Sequence, residues 1–316
     1  MNPTDARALA ERIRGAVHTA VVGREVAVDQ VLTALVADGH ILLEDLPGLG
    51  KTLIAKSFAS ALGLGFQRVQ FTADLLPHDI TGGEIIDPEK GGFAFRRGPI
   101  FTNVLLADEI NRAPPKVQSA LLEAMQEYQV TSERSTYPLL RPFLVLATEN
   151  PLELEGTYPL PEAQVDRFLL RLQIGYPTVE EERTILERRR ARKVENVEVP
   201  AVADATTFLG LQGAVEEITL DASLTDYIVQ LVRATRNDAR AEVGASPRGS
   251  LALQKLSRAR ALLDGRDFVI PDDVKSYAVP ALAHRMIVKP EPWIRGVRGA
   301  DIVKSALDAT AVPKVR

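Results

Sequence analysis

The stretch HILLEDLPGLGKT, residues 40–52, constrains the fold more than any other part of the chain. Three apolar residues, 41–43, run into a turn carrying Pro47, Gly48 and Gly50, and residues 53–62 then have the composition of a helix. A loop of this kind holds phosphate when a strand fixes its start, its amides turn inward and a helix N-terminus faces the anion. Such a unit belongs to a parallel α/β layer. Pro47, Gly48, Leu49, Gly50, Lys51, Thr52 and Leu53 are the expected nucleotide contacts, with Lys51 reaching the β- and γ-phosphates and the Thr52 hydroxyl ligating Mg²⁺. One residue departs from the pattern G-x-x-x-x-G-K-[ST]: Asp45 stands where the first glycine is expected. That position is at the strand exit, farthest from the phosphates, and Asp tolerates turn conformations, so the replacement is expected to cost little binding.

The rest of the chain has the texture this unit requires. Short apolar runs at 41–43, 69–71, 104–107, 143–147 and 169–172 suit parallel strands buried on both faces. Helical periodicity appears at Leu9, Ile13, Val17 and Ala20, with Thr4 or Asp5 as N-cap, then over 25–37, and again after Pro114-Pro115 at Val117, Ala120, Leu121, Ala124, Met125 and Tyr128. Two inserts read as hairpins: 83–98, where Phe93 and Phe95 alternate after DPEKGG, and 129–139 around SERS. Beyond Tyr176-Pro177 strand signals largely stop. Helices are expected at 179–192, 224–236, 247–263 and 271–286, the last broken at Pro280. The expected division is an αβα nucleotide-binding core, 1–176, and a helical domain, 177–316.

A second acidic signal supports the loop. In VLLADEINRAPP an apolar strand ends in Asp108-Glu109; in a hydrolase Asp108 would hold Mg²⁺ and Glu109 would polarise the attacking water as general base. With these residues in place the chain resembles the AAA+ ATPases and, more narrowly, the MoxR family. The resemblance rests on VVGRE, LLEDLPGLGKT, LLADEINRAPPKVQSALLEAMQE, LATENP, YPLPEAQVDRF and GASPRG, and covers nearly the whole chain. An acidic residue before the loop glycines is ordinary in that family, so Asp45 does not signal a decayed site.

The resemblance implies an α/β fold with a five-stranded parallel sheet, order 5-1-4-3-2, followed by an all-helical lid. It implies ATP and Mg²⁺ as ligands, Val22 and Gly23 beside the adenine, and Asn150 as the sensor that orients the water or touches the γ-phosphate. The family stretch more often reads ATQNP, so Glu149 is a departure beside an intact Asn150. Arg167 matches the arginine finger offered to a neighbouring subunit; the alternative is a salt bridge to Asp166 or Glu162. Arg248 matches the second sensor, carried toward the nucleotide by a helix that Ser246 caps and Pro247 opens. The same resemblance implies a ring, expected to be a hexamer, that remodels or matures client protein complexes, often with a von Willebrand factor A domain partner. The hairpins resemble AAA+ inserts that face a central pore, where Phe93 and Phe95 either grip a client or pack under their own hairpin.

Other classes are less well supported. The chain has 316 residues, no cysteine and a net charge of −4, so disulfides and thiolate metal sites are excluded and no global attraction to nucleic acid or anionic membrane exists. A nucleic-acid motor on the same core is the alternative function, but no appended nucleic-acid module is visible. A guanine-reading N/T-K-x-D stretch is absent. The run ERRRARK, 187–193, reads as a solvated helix face paired with Glu180, Glu181 and Glu182. The four histidines have no ligand spacing, and Trp293 is either an anchor for the C-terminal segment or an interface contact. No segment reaches the roughly 18 apolar residues of a membrane span, and the expectation is a soluble, cytoplasmic protein.

Overall fold

The computed structural model describes residues 1–87, 92–132, 135–151 and 156–313. In chain order the strands are β1 Ile41–Glu44, β2 Phe66–Gln70, β3 Gly82–Asp87, β4 Gly92–Arg97, β5 Val104–Asp108, β6 Gln129–Ser132, β7 Ser135–Pro138, β8 Leu144–Glu149, β9 Leu170–Leu172, β10 Ala241–Val243 and β11 Ile287–Val288. Five of them form one sheet in the order β2-β5-β8-β1-β9, and every pair in it is parallel. Numbered along the chain, that is the expected 5-1-4-3-2. Both expected hairpins form, as β3–β4 and β6–β7, although the turn residues 88–91 and 133–134 lie outside the described residues.

The interior strands are buried along their length, and their side chains alternate between two apolar layers. Leu43, Leu106, Leu146 and Leu172 face one layer, shared with α1 Pro3–His18, α2 Glu25–Val36 and α3 Lys51–Ala61. Leu42, Leu105, Val145 and Ala147 face the other, filled by α4 Pro77–Thr81 and α5 Pro115–Glu127. His40 is structural: Val145 N–H donates to its Nδ1 (3.1 Å) and its Nε2 sits 3.0 Å from the Met125 carbonyl. Burial pushes its pKa down to about 4, so it stays neutral.

After the short α6 Glu162–Val165 come α7 Val179–Arg192, α8 Ala205–Val215, α9 Ala222–Asn237, α10 Pro247–Leu263, α11 Pro271–Leu282, α12 Pro290–Ile294 and α13 Gly299–Ala309. Four local expectations change. The first helix is capped by Asn2, whose side chain accepts from Asp5 N–H, and not by Thr4 or Asp5. Strand β2 begins three residues earlier than the apolar run suggested, because it is an edge strand with mostly polar, exposed positions. Pro280 stays inside α11, and the helix ends at Leu282 before a 3₁₀ turn, Ala283–Arg285. Finally, the arginines of α7 do not pair with Glu180–Glu182: Arg189 binds Glu195 (2.6 Å), Arg188 donates to the His18 carbonyl (2.7 Å), and Glu181 caps its own helix at Thr178.

Candidate nucleotide site

The phosphate loop joins the exit of β1 to α3. Gly48 (φ 81°) and Gly50 (φ 85°) adopt left-handed backbone, and a Cβ at either would meet no heavy atom within 4 Å. Glycine is therefore required here by conformation and not by crowding. Gly50 is the N-cap of α3 and provides no side-chain cap, which leaves the first amides of the helix for an anion. Lys51 is buried and its ammonium donates to the Asp45 carbonyl (2.5 Å). Burial lowers its pKa, opposed by the charges of Asp108, Asp45 and Glu109, all close by. Thr52 and Leu53 follow on the first turn of α3.

Two strands away, β5 ends in Asp108, and Glu109 follows in a left-handed conformation (φ 57°) that turns its side chain out of the sheet. The strand between them, β8, supplies a link that the sequence reading missed. Thr148 donates its hydroxyl proton to Asp108 Oδ1 (2.6 Å) and accepts from the Glu109 N–H (2.8 Å). Asn150, one residue past β8, is buried beside them. Edge strand β2 adds two more partners. Arg68 donates from Nε (2.9 Å) and Nη2 (2.6 Å) to Asp108 Oδ2, and Gln70 donates to Glu109 Oε2 (2.7 Å), which also accepts from Arg112 (3.0 Å). Gln70 is the register partner of Asp108, so β2 pairing itself delivers it.

Val22 and Gly23 lie in the turn between α1 and α2, half-buried, with Gly23 at φ 63°. The Glu181 carboxylate lies over Gly23, 1.8 Å from where a Cβ would be; a larger residue would have to displace that flexible side chain and would be strained at φ 63°. The remaining two arginines meet elsewhere. Asp166 is not a partner of Arg167: it is paired with Arg285 (2.9 Å) and Arg248 (3.8 Å) and accepts from the Ser246 hydroxyl (3.1 Å). Arg167 keeps its Nε buried and without a hydrogen-bond partner, and its pKa is lowered by burial and by Arg248. Ser246 and Pro247 open α10 as expected, with Ser246 accepting from Arg248 N–H (3.1 Å). Arg248 lies with Asp166 and Arg167.

A cavity of 1170 Å³ opens between the sheet and the later helices, lined by Glu149, Asn150, Arg171, His284 and Trp293 among others. No residue of the phosphate loop lines it, so it is a separate cleft that meets the site at Asn150. Trp293 is 56% exposed, with the Arg298 guanidinium 5.1 Å from its ring centre.

Residues 40–170 match the ATPase family associated with various cellular activities (AAA), and residues 233–306 match the AAA lid domain. The chaperone MoxR1 of Mycobacterium tuberculosis is 42% identical over 314 residues, 96% of this chain and 82% of that protein. The chain belongs to the MoxR family of AAA+ ATPases. Two further relatives match over nearly the whole chain: the uncharacterised YeaC protein of Bacillus subtilis is 46% identical over 95% of this chain and 93% of its own length, and a MoxR protein of Methylorubrum extorquens is 31% identical over 98% and 97%. A crystal structure from Cytophaga hutchinsonii, described as a candidate ATPase, superposes with a TM-score of 0.92 at 40% identity, covering 99% of this chain and 97% of that one. Nucleotide binding and ATPase activity are thus properties of this MoxR-family fold, and the helical segment is its lid.

Proposed function

We propose that this MoxR-family chain is a Mg²⁺-dependent ATPase that hydrolyses ATP at the seams of a ring of six copies and uses the energy to remodel or mature client protein complexes in the cytoplasm. The reading is supported above all by one arrangement: Lys51 after β1, Asn150 after β8 and Asp108-Glu109 at the end of β5 stand at the same end of three neighbouring parallel strands, and the Thr148 hydroxyl of β8 joins Asp108 to the Glu109 amide. The uncapped α3 amides, Lys51 and the glycine turn hold the triphosphate. Val22 and Gly23 border the base. Thr52 and Asp108 would hold the metal, which would neutralise phosphate charge; Arg68 holds Asp108 Oδ2 on the other side. Glu109 accepts the proton of the attacking water, and Asn150 orients that water. Arg167, whose buried Nε has no hydrogen-bond partner among the described residues, is the finger given to the adjoining copy, and Arg248 beside it acts across the same seam. A von Willebrand factor A domain protein is the partner class this family suggests.

The test is ATP turnover measured across protein concentration. Turnover per chain should rise as rings form. Arg167→Ala should retain ATP binding and lose that rise, while Glu109→Gln should bind ATP and turn over at least about 100-fold more slowly. Unaltered hydrolysis by Glu109→Gln would remove the assigned base.

One finding favours a second reading, a nucleic-acid motor. The chain is 34% identical to the RuvB subunit of a Holliday junction branch migration complex of Gluconobacter oxydans, over 47% of this chain. Strong stimulation of turnover by branched DNA would favour it over client remodelling.

A further inference from the structure

Asp45 occupies the position where the general phosphate-loop pattern carries a glycine, and the structure gives its side chain a task that glycine lacks. It is 8% exposed, and its carboxylate accepts three backbone N–H groups: Leu46 at 2.9 Å on Oδ1, and Ile174 at 2.6 Å and Gly175 at 2.7 Å on Oδ2. Its main chain makes two further bonds. The N–H donates to the Glu149 carbonyl (3.1 Å), and the carbonyl is the acceptor that holds the Lys51 ammonium (2.5 Å). One residue therefore joins the exits of β1, β8 and β9 and supplies the oxygen that aims the lysine. The donors are amides whose positions are set by the sheet and by the turn at Gly175 (φ 72°), so they cannot follow a change of side chain. Glycine at 45 would leave the Ile174 and Gly175 amides without their anion and free the loop backbone to rotate.

We propose that Asp45 is a positioning residue for the nucleotide site: by clamping the backbone that follows β9, its carboxylate fixes the carbonyl against which Lys51 is aimed. The inference rests on the reading of Lys51 as the phosphate lysine. It predicts that restoring the general pattern, Asp45→Gly, impairs the site. The effect continues into the connector, where the Tyr176 carbonyl accepts from the Arg24 guanidinium (2.6 Å) next to Gly23, so the same short segment is tied to both nucleotide-facing turns.

A double-mutant cycle on ATP affinity tests the claim in the full chain, with titration of a fluorescent ATP analogue as readout. Asp45→Asn, nearly isosteric, should weaken ATP binding about tenfold in the unaltered background and by less than about twofold on Lys51→Ala, because there is no lysine left to aim. A purely structural role would weaken binding equally in both backgrounds and would overturn the proposal. Hydrogen exchange gives a second, independent reading: the Ile174 and Gly175 amides should exchange slowly in the unaltered protein and in Lys51→Ala, and at least about tenfold faster in Asp45→Asn and Asp45→Gly. Slow exchange persisting in Asp45→Gly overturns the clamp. If Lys51→Ala binds ATP as the unaltered chain does, the phosphate-loop reading falls and takes this inference with it; if only the cycle or the exchange fails, the inference alone falls.

Discussion

Glu149 and Glu44 are register partners on the neighbouring strands β8 and β1, so two carboxylates stand side by side at the edge where the site is built. Arg171 lies 3.7 Å from Glu44. Burial first, and repulsion by Glu44 second, raise the Glu149 carboxyl from 4.5 to about 7, against the pull of Arg171. Between those two values the folded chain keeps a proton that the unfolded chain releases. Stability should therefore fall as pH rises through that window and stay reduced above it. Glu149→Gln, which installs the residue of the family stretch ATQNP, removes the penalty: denaturant melts should show a gain on the order of 1–2 kcal/mol at about pH 8 and little change at about pH 4. An equal effect at both pH values would show that the carboxyl is not the cause. At this scale legibility divides by distance along the chain. The placement of Lys51, Asp108 and Asn150 at strand exits was readable because each sits inside a contiguous motif. The task of Asp45 was not, because its donors lie 129 and 130 residues away and become neighbours only when β9 pairs with β1. Thr148 was hidden in the same way, 40 residues from Asp108.

Among elements, the reading succeeded where a local device sets the boundary. Helix α7 follows Thr178, whose capping box with Glu181 is spelled in four consecutive residues, and α10 follows the Ser246 N-cap with Pro247 as its first residue. It failed where packing decides. Helix α8 carries Gly210, Gly213 and two threonines, poor local formers, yet buries Phe208, Leu211 and Val215 and is helical through that burial. The two hairpins show how tertiary contact separates residues that look alike in sequence. Phe95 stacks on Tyr137 of the other hairpin, with ring centres 3.9 Å apart at 11°, and meets Phe101 edge-on at 5.9 Å. Phe93, two positions earlier, is 72% exposed beside its register partner Ile86. The stack docks one hairpin on the other, whereas the Phe93 ring stands in solvent. Phe95→Ala should thus lower stability by about 2 kcal/mol in denaturant melts and Phe93→Ala by less than about 0.5 kcal/mol. Equal losses would mean that the stack does not hold the hairpins together.

At the scale of the whole molecule, the five-stranded sheet ends at Leu172 and a mainly helical segment, with the short β10–β11 pair, begins at Val179, but the apolar interior does not divide there. One continuous cluster runs from α1, α2 and α3 through Leu253 and Leu256 of α10 to Tyr277 and Leu282 of α11, and the Tyr277 hydroxyl donates to Thr33 Oγ1 of α2 (2.7 Å). Among the described residues no helix is long and apolar enough to cross a membrane. The lid is also fastened by charge at the segment that carries the proposed finger. Arg285 is buried, and its guanidinium donates to the carbonyls of Asp166 (3.2 Å), Phe168 (2.7 Å), Leu169 (3.4 Å) and Ala281 while pairing with the Asp166 carboxylate (2.9 Å). Burial pulls its pKa down to about 10, so it remains a cation at neutral pH. Losing such a partner from a buried pair is expensive, because Asp166 and several carbonyls would be left under-satisfied in low dielectric. A lysine keeps the charge but cannot reproduce a fork that reaches both sides of the 166–169 segment. Arg285→Lys should therefore cost about 2–4 kcal/mol in denaturant melts and, at a temperature where the variant is folded, reduce the rise of turnover with assembly more than it reduces ATP affinity. That split follows from position: the phosphate loop is held by Asp45 and the sheet, whereas Arg167 is held by the strap that Arg285 anchors. A variant that lost ATP affinity and assembly-dependent turnover in equal measure would show that the lid and the phosphate loop are held as one piece.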